Sequence, residues 1–321
     1  MASESTKTVA VALGANVVIA AAKLVGGLAT GASVMLAEAA HSLADTMNEV
    51  FLLVSLRLGR RAPDETHPFG YGKERFFWAF LAAIFIFVAG ASFSIYQGLT
   101  VVLSGTDEAI SNLWVSFAIL GVAFLAEGTS FVRAFRQAAP DDVGLDEISR
   151  TIETIRRSKD PTVKTVLFED GAALTGIVIA AAGLLLYRFT GHAWWDGLAS
   201  ILIGLLLGWV AYALGRDVKG LLLGEAASPE VRGRLRDVID AFDEVDVVLE
   251  VLTMHMAPDQ VLVAARIDLA DGLSSRETER VATRIEEALR DAEPMVVEVF
   301  LDPTARSVFE PPERDQQPDA G

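Results

Sequence analysis

The 321-residue chain is 52% hydrophobic, with a mean hydropathy of +0.39, yet it carries a net charge of −16. Such apolarity excludes a soluble globular protein of this size, so charge and apolar residues must lie in different stretches. The acidic balance excludes nucleic acid as a partner, since phosphate recognition needs clustered Lys and Arg, and the lack of cysteine excludes disulfides, thiolate metal sites and thiol catalysis.

The stretch Met1 to Val9 is short and polar and fits neither a secretory signal nor an Arg-rich transit peptide. Beyond it, long apolar runs dominate up to Glu225. A membrane span needs about 20 mainly apolar residues. Six such runs are found: Thr8 to Leu28, Ser33 to Leu58, Phe77 to Leu103, Leu113 to Phe135, Lys164 to Phe189 and Ala193 to Leu214. The loop after the second holds Arg57, Arg60, Arg61, Lys73 and Arg75, and the loop after the fourth holds Arg133, Arg136, Arg150, Arg156, Arg157, Lys159 and Lys164. On the other side only Arg188 lies near a connection. Positive charge accumulates on the cytoplasmic side, so both termini are expected there. Small residues recur in the spans, including Gly26 and Gly27, Gly171 and Gly176, and the Gly204–Gly208 pair, and ordinary close helix packing accounts for them.

From Glu225 to the end the chain holds 23 acidic against 10 basic residues, so most of the net charge belongs to this part. Ser228 and Pro229 start a helix with Val231, Leu235, Val238 and Ile239 on its apolar face. Two β-rich segments follow, Val245 to Met254 and Gln260 to Asp268, joined by a turn at Ala257-Pro258-Asp259. Ser274 and Glu277 form a capping box before a second helix, and Met295 to Leu301 is a third strand. The order αββαβ predicts a small sheet with helices on one side. From Arg306 the Pro-, Glu- and Asp-rich end is expected to be disordered. His255, in the first strand, reads as a surface histidine.

Within the second span, Glu38, His41, Asp45 and Asn48 recur at spacings of three and four, which places them on one helix face. Ionisable groups at membrane depth line a polar path or a site, because they are costly in lipid. His41 and Asp45 are two ready ligands for a divalent ion, best suited to Zn²⁺ and less selectively to Mn²⁺, Fe²⁺ or Co²⁺. The fifth span begins with Glu169 and Asp170, which point about 100° apart, so one faces the site while the other pairs nearby. Asn16, Lys23, Glu49 and Glu127 are path residues or packing hydrogen bonds, and His192, beside Trp194 and Trp195, reads as an interfacial anchor.

The run from Ala37 through His41 and Asp45 to Asn48, the loop from Pro63 through His67 to Arg75, and six spans with an αββαβ tail resemble the cation diffusion facilitator (solute carrier 30) family over essentially the whole chain. Glu169-Asp170 and the stretch Thr253 to Pro258 look most like its zinc transporter 9 branch. The resemblance implies a homodimeric divalent-metal exporter, usually for zinc, that exchanges metal for protons by alternating access and has no prosthetic group. It implies His41 and Asp45 as ligands from the second span, with the fifth span completing the site. The family pattern has a second His-x-x-x-Asp there. Matching Asp170 to its aspartate puts Val166 at the histidine position, which leaves His41, Asp45 and Asp170, with Glu169 or water as fourth ligand. In the accessory loop site Asp64 and His67 match ligand positions while the third falls on Tyr71. In the tail Asp302 matches an acidic ligand position and most histidines are missing, which fits dimer contact better than metal sensing.

The expected fold is therefore a polytopic α-helical membrane protein. Six transmembrane helices occupy 1–215, a cytosolic αββαβ domain of ferredoxin-like, metallochaperone-like form occupies 216–305, and 306–321 is a tail. A prokaryotic cell membrane is the expected location. His41, with an unperturbed pKa near ~6.5, is the natural group for proton exchange. The rival readings are a membrane-embedded zinc hydrolase, a passive metal channel, and a scaffold or sensor that binds metal without moving it.

Overall fold

The structure, a computed structural model, describes residues 2–104, 110–138 and 161–309. These residues fall into two compact units divided between Gly220 and Leu221. The helical unit comprises α1 (Ala2–Thr30), α2 (Ser33–Leu58), α3 (Glu74–Phe85), a π-helical turn (Ile86–Ser92) leading into α4 (Phe93–Ser104), α5 (Leu113–Ala138), α6 (Pro161–Thr190) and α7 (Trp194–Leu223). A helix thus stands at each of the six expected positions. The basic loop expected to follow the fourth lies mostly outside the described residues.

Among the described residues, four helical stretches are long and apolar enough to cross a membrane: Glu74–Ser104, Leu113–Arg133, Phe168–Thr190 and Trp194–Leu223. In α2, Glu38, Asp45 and Glu49 fall within one membrane-length window, and the described side chains of α1 supply the apolar stretch Asn16–Thr30. Trp114, Phe189, Leu103 and Leu125 are strongly exposed on the outer faces, as helices facing lipid would have them.

The interior is built from small residues. Ala37, Ala44, Ala91, Ala180 and Ala199 are buried among Ile86, Ile203 and Leu207. A methyl group added at Gly204 of α7 would sit 2.9 Å from the Ala91 carbonyl and 2.6 Å from the Ile95 side chain, so the helices meet backbone to backbone there. The π-helical turn, which no sequence pattern signals, sets Gly90 between Ala44 of α2 and Leu207 of α7.

At the start of α2 the free backbone N–H groups are satisfied from another helix. Asp196 of α7 accepts from Ser33 N at 2.6 Å and Val34 N at 3.1 Å, and the Ser33 and Ser200 hydroxyls share a hydrogen bond of 2.6 Å. Asp196 is buried, and a carboxylate at a helix N-terminus is also favoured by the helix dipole. Asp196→Ala is expected to destabilise the unit by about 1–3 kcal/mol, the usual consequence of orphaning buried donors. A thermal unfolding midpoint unchanged in detergent would contradict this role.

The second unit contains α8 (Pro229–Asp240), β1 (Val245–Ala257), β2 (Gln260–Leu269), α9 (Ser275–Ala292) and β3 (Val296–Pro303). The sheet order is β1-β2-β3, with β1 antiparallel and β3 parallel to β2. Val248, Val261, Val263 and Ile267 of the sheet bury against Leu235, Ile239, Val281, Ile285 and Leu289 of the two helices. Ser228 Oγ caps α8 by accepting from Val231 N at 3.3 Å. Glu277 accepts from Ser274 N at 2.8 Å and from its hydroxyl at 2.6 Å, and the hydroxyl bond in particular holds the Glu277 carboxyl below its usual range.

Two expectations are corrected here. His255 is buried, not on the surface, because the segment before α8 lies along that end of β1: His255 N donates to Glu225 O at 3.0 Å and Ala227 N to the Thr253 hydroxyl at 2.9 Å. The tail expected to leave the fold at Arg306 stays with it through Phe309. Arg306 N donates to Asp268 at 3.0 Å, and the Arg266 guanidinium lies 5.9 Å from the Phe309 ring centre. Residues 310–321 lie outside those described.

Candidate metal site

α2 places its polar stripe inside the helical unit. Glu38, His41 and Ser42 are buried there, and Asp45, Asn48 and Glu49 continue along the helix. His41 Nε2 stands 3.3 Å from Asp45 Oδ2, the approach that a spacing of four residues allows. Among the described residues neither ring nitrogen of His41 has a hydrogen-bond partner. A buried imidazole without a partner is costly. A metal ion bound beside it would relieve that cost, and Asp45 is aligned to share the ion.

Two acidic residues come from α6, and they go different ways. Both Glu169 carboxylate oxygens accept from the Asn48 amide, at 2.6 and 2.7 Å, and Glu169 is the strongest charged neighbour of Asp45. Asp170 is bonded instead to the Ser130 hydroxyl of α5, and its Oδ2 is buried without a partner. The helix therefore turns Glu169 toward the α2 stripe and Asp170 toward α5. Among the described residues no three His, Asp or Glu side chains yet converge closely enough to hold one ion. Asn48 engages Glu169 in their place.

Other path candidates find specific partners. Asn16 Nδ2 donates to Glu49 at 2.7 Å. Lys23 of α1 reaches Glu38 at 2.9 Å and Ser42 at 2.7 Å. Glu127 is half-buried on α5. His192 is exposed beside Trp194 and Trp195, whose rings meet edge to face at 5.1 Å. Asp196 escaped the sequence reading, and the one signal for it was a lone acid opening an apolar helix after two tryptophans.

The loop residues Asp64, His67 and Tyr71 come together, but their acceptors are engaged. Asp64 Oδ1 accepts from Thr66 N, the Thr66 hydroxyl and His67 N at 2.7–2.9 Å, while the Tyr71 hydroxyl donates to Oδ2 at 2.6 Å. His67 Nδ1 is 3.7 Å from Asp64. The Tyr71 hydroxyl, with Thr66 and the His67 amide behind it, holds the Asp64 carboxyl well below the usual carboxylate range, and the same bond pushes the Tyr71 phenol up. Tyr71→Phe is expected to raise the Asp64 pKa toward its ordinary value, which a carboxyl-carbon NMR titration would register; an unmoved midpoint would contradict it. In the second unit Asp302 is paired with Arg266 Nε at 3.1 Å, and Arg266 also reaches Glu250 at 3.3 Å.

Residues 9–223 match the model of the cation efflux transmembrane domain. Among curated proteins the chain is 33% identical to metal tolerance protein C4 of Arabidopsis thaliana over 265 residues, 82% of this chain and 57% of the relative. It is 30% identical to the proton-coupled zinc antiporter SLC30A9, mitochondrial, of Xenopus laevis over 270 residues, 82% of this chain and 45% of the relative. It is 27% identical to metal cation efflux system protein CzcD of Cupriavidus metallidurans over 203 residues, 63% of this chain and 56% of the relative. The chain spans about half the length of the curated relatives it matches. Plant and mitochondrial relatives give no support to the prokaryotic placement expected above. The matched domain, which covers most of the helical unit, and relatives on both sides of this level of identity carry one conclusion: the chain belongs to the cation diffusion facilitator family, close to its zinc transporter 9 branch.

Proposed function

We propose that the protein is a secondary active transporter that exports a divalent metal, zinc foremost, in exchange for protons. One observation carries the reading: a buried His41 without hydrogen bonds, one turn from Asp45, beside a carboxylate that α6 brings to Asn48. His41 and Asp45 hold the ion from α2, and Glu169 closes on it from α6 once Asn48 releases the carboxylate. Asp170, or water, supplies the remaining position. Ligands must be deprotonated to bind metal, so loading releases protons and unloading takes them up. The six helices are six spans, both termini face the cytoplasm, and two copies form a dimer. Cytosolic metal enters between α2 and α6, and rocking of the helices then opens the site to the other side.

An oxygen-rich donor set favours a second metal reading. Carboxylates on α6, with Val166 at the family's second histidine position, suit Mn²⁺ or Fe²⁺ better than a two-histidine site would. The hydrolase reading has no support from relatives named for metal tolerance, antiport and efflux. The test is flux of Zn²⁺, Mn²⁺, Fe²⁺ and Co²⁺ in proteoliposomes with an imposed proton gradient. Zn²⁺ flux is expected to accelerate when the receiving side is acidic. Flux indifferent to the gradient would mean a passive channel, and metal binding without flux would mean a sensor.

A further inference from the structure

A buried ion pair lies two turns along α2 from Asp45. Lys23 Nζ of α1 stands 2.9 Å from Glu38 Oε2 and donates to the Ser42 hydroxyl at 2.7 Å. Lys23 and Glu38 are both 0% exposed, so the lysine does not snorkel to any interface. A buried pair of this kind adds little net stability compared with apolar residues of the same volume. Its presence therefore calls for a role other than holding α1 to α2.

Glu38 Oε1 is left over. It is buried without a hydrogen-bond partner among the described residues, and it faces α6 so closely that a methyl group on Gly176 would lie 2.6 Å from it. Gly176 follows Glu169 by seven residues, and Glu38 precedes Asp45 by seven, so each pair shares one helix face two turns apart. The seam between α2 and α6 thus has two levels. One holds Asp45 and Glu169, and the other holds Glu38 and Ser42, with Gly176 making room. The second level offers carboxylate and hydroxyl oxygens, donors that suit a divalent cation. A lysine ammonium already fills it, and that group is a compact point charge with three donors. The Lys23 charge also acts on His41, Asp45 and Glu127.

We propose that Glu38 and Ser42 form a second cation-binding level in the α2–α6 seam, filled by the Lys23 ammonium, and that this built-in cation restricts divalent metal to the His41–Asp45 level. The inference rests on the metal path proposed above. Lys23 is in these terms a positioning residue. It keeps Glu38 out of the ligand set and fixes how many metal ions the bundle takes.

The experiment measures Co²⁺ bound per folded chain, on the full-length protein in detergent at about pH 8, where protons compete least with carboxylates. Lys23→Gln keeps a donor toward Glu38 and Ser42 but removes the charge. It is expected to gain about one divalent ion per chain, a gain lost in Lys23→Gln/Glu38→Gln and kept in Lys23→Gln/Asp45→Ala. Unchanged stoichiometry in folded Lys23→Gln overturns the proposal. Should that variant fail to fold, Glu38→Gln asks the question from the other side. It leaves Lys23 uncompensated beside the His41–Asp45 level and is expected to weaken Co²⁺ binding about tenfold or more, with recovery in the double variant. Wild-type affinity in Glu38→Gln overturns the proposal. Wild-type Co²⁺ binding in Asp45→Ala strikes the underlying metal path instead, and the proposal falls with it, so the two failures are distinguishable.

Discussion

Asp45→Ala is expected to abolish metal-driven proton movement in proteoliposomes while leaving the protein folded. On the proposed path Asp45 supplies one of two donors on α2, and among the described residues its neighbour His41 has no hydrogen bond. Losing a group that merely orients a metal ligand already weakens metal binding roughly 10–100-fold, so loss of a ligand itself is expected to exceed ~100-fold. Folding is not at risk to the same degree. Among the described residues the ion pair Asp45 makes is the one with His41, and alanine is the strongest helix former. Removing the acid also relieves its repulsion with Glu169. The measurement is alkalinisation inside liposomes on addition of Zn²⁺ outside, read with a trapped pH-sensitive dye, beside a thermal unfolding curve of the same preparation. Retained proton movement in folded Asp45→Ala protein would remove this pair from the metal path.

The approach of His41 to Asp45 on α2 was legible because it is local. The bounds expected for that helix, Ser33 to Leu58, are the ones found, and a spacing of four residues on a helix dictates that His41 meets Asp45. The tail was legible for the same reason. Ser228 with Pro229 and Ser274 with Glu277 announce their helices within four residues, and period-two apolar runs announce β1 and β2. What stayed hidden depends on which helix stands beside which. Lys23 and Glu38 are separated by 15 residues and Ser33 and Asp196 by 163, and no periodicity links either pair. The π-helical turn was hidden as well. A register shift within an apolar run changes no residue type, so composition carries no trace of it. His255 was misjudged because the strand pattern gives alternation but not which face the Glu225–Ala227 segment covers.

Glu169 and Asp170 could not be separated by sequence, since neighbours on a helix differ by about 100° and the rotation of α6 about its axis decides between them. The structure turns Glu169 to Asn48 and Asp170 to Ser130, and this asymmetry makes a second prediction of large effect. Glu169→Gln is expected to weaken metal binding about 10–100-fold, because the amide can still accept from Asn48 but no longer offers an anionic donor. Asp170→Asn is expected to weaken it less than Glu169→Gln does, since Ser130 can bond an amide oxygen and Asp170 acts on Asp45 more weakly than Glu169 does. Both substitutions keep size and hydrogen bonding, so the contrast isolates charge at each position. Calorimetric titration of Zn²⁺ into each variant gives the ranking directly. A larger loss in Asp170→Asn would mean that α6 rotates its acids on loading, bringing Asp170 round to the site and sending Glu169 toward α5. Equal losses would mean that both carboxylates touch the ion. Because α6 presents its two acids on different faces, a rotation of roughly one residue, about 100°, would exchange them. Comparing the two variants with metal offered from either side of the membrane separates a fixed ligand from one that takes its turn during the transport cycle.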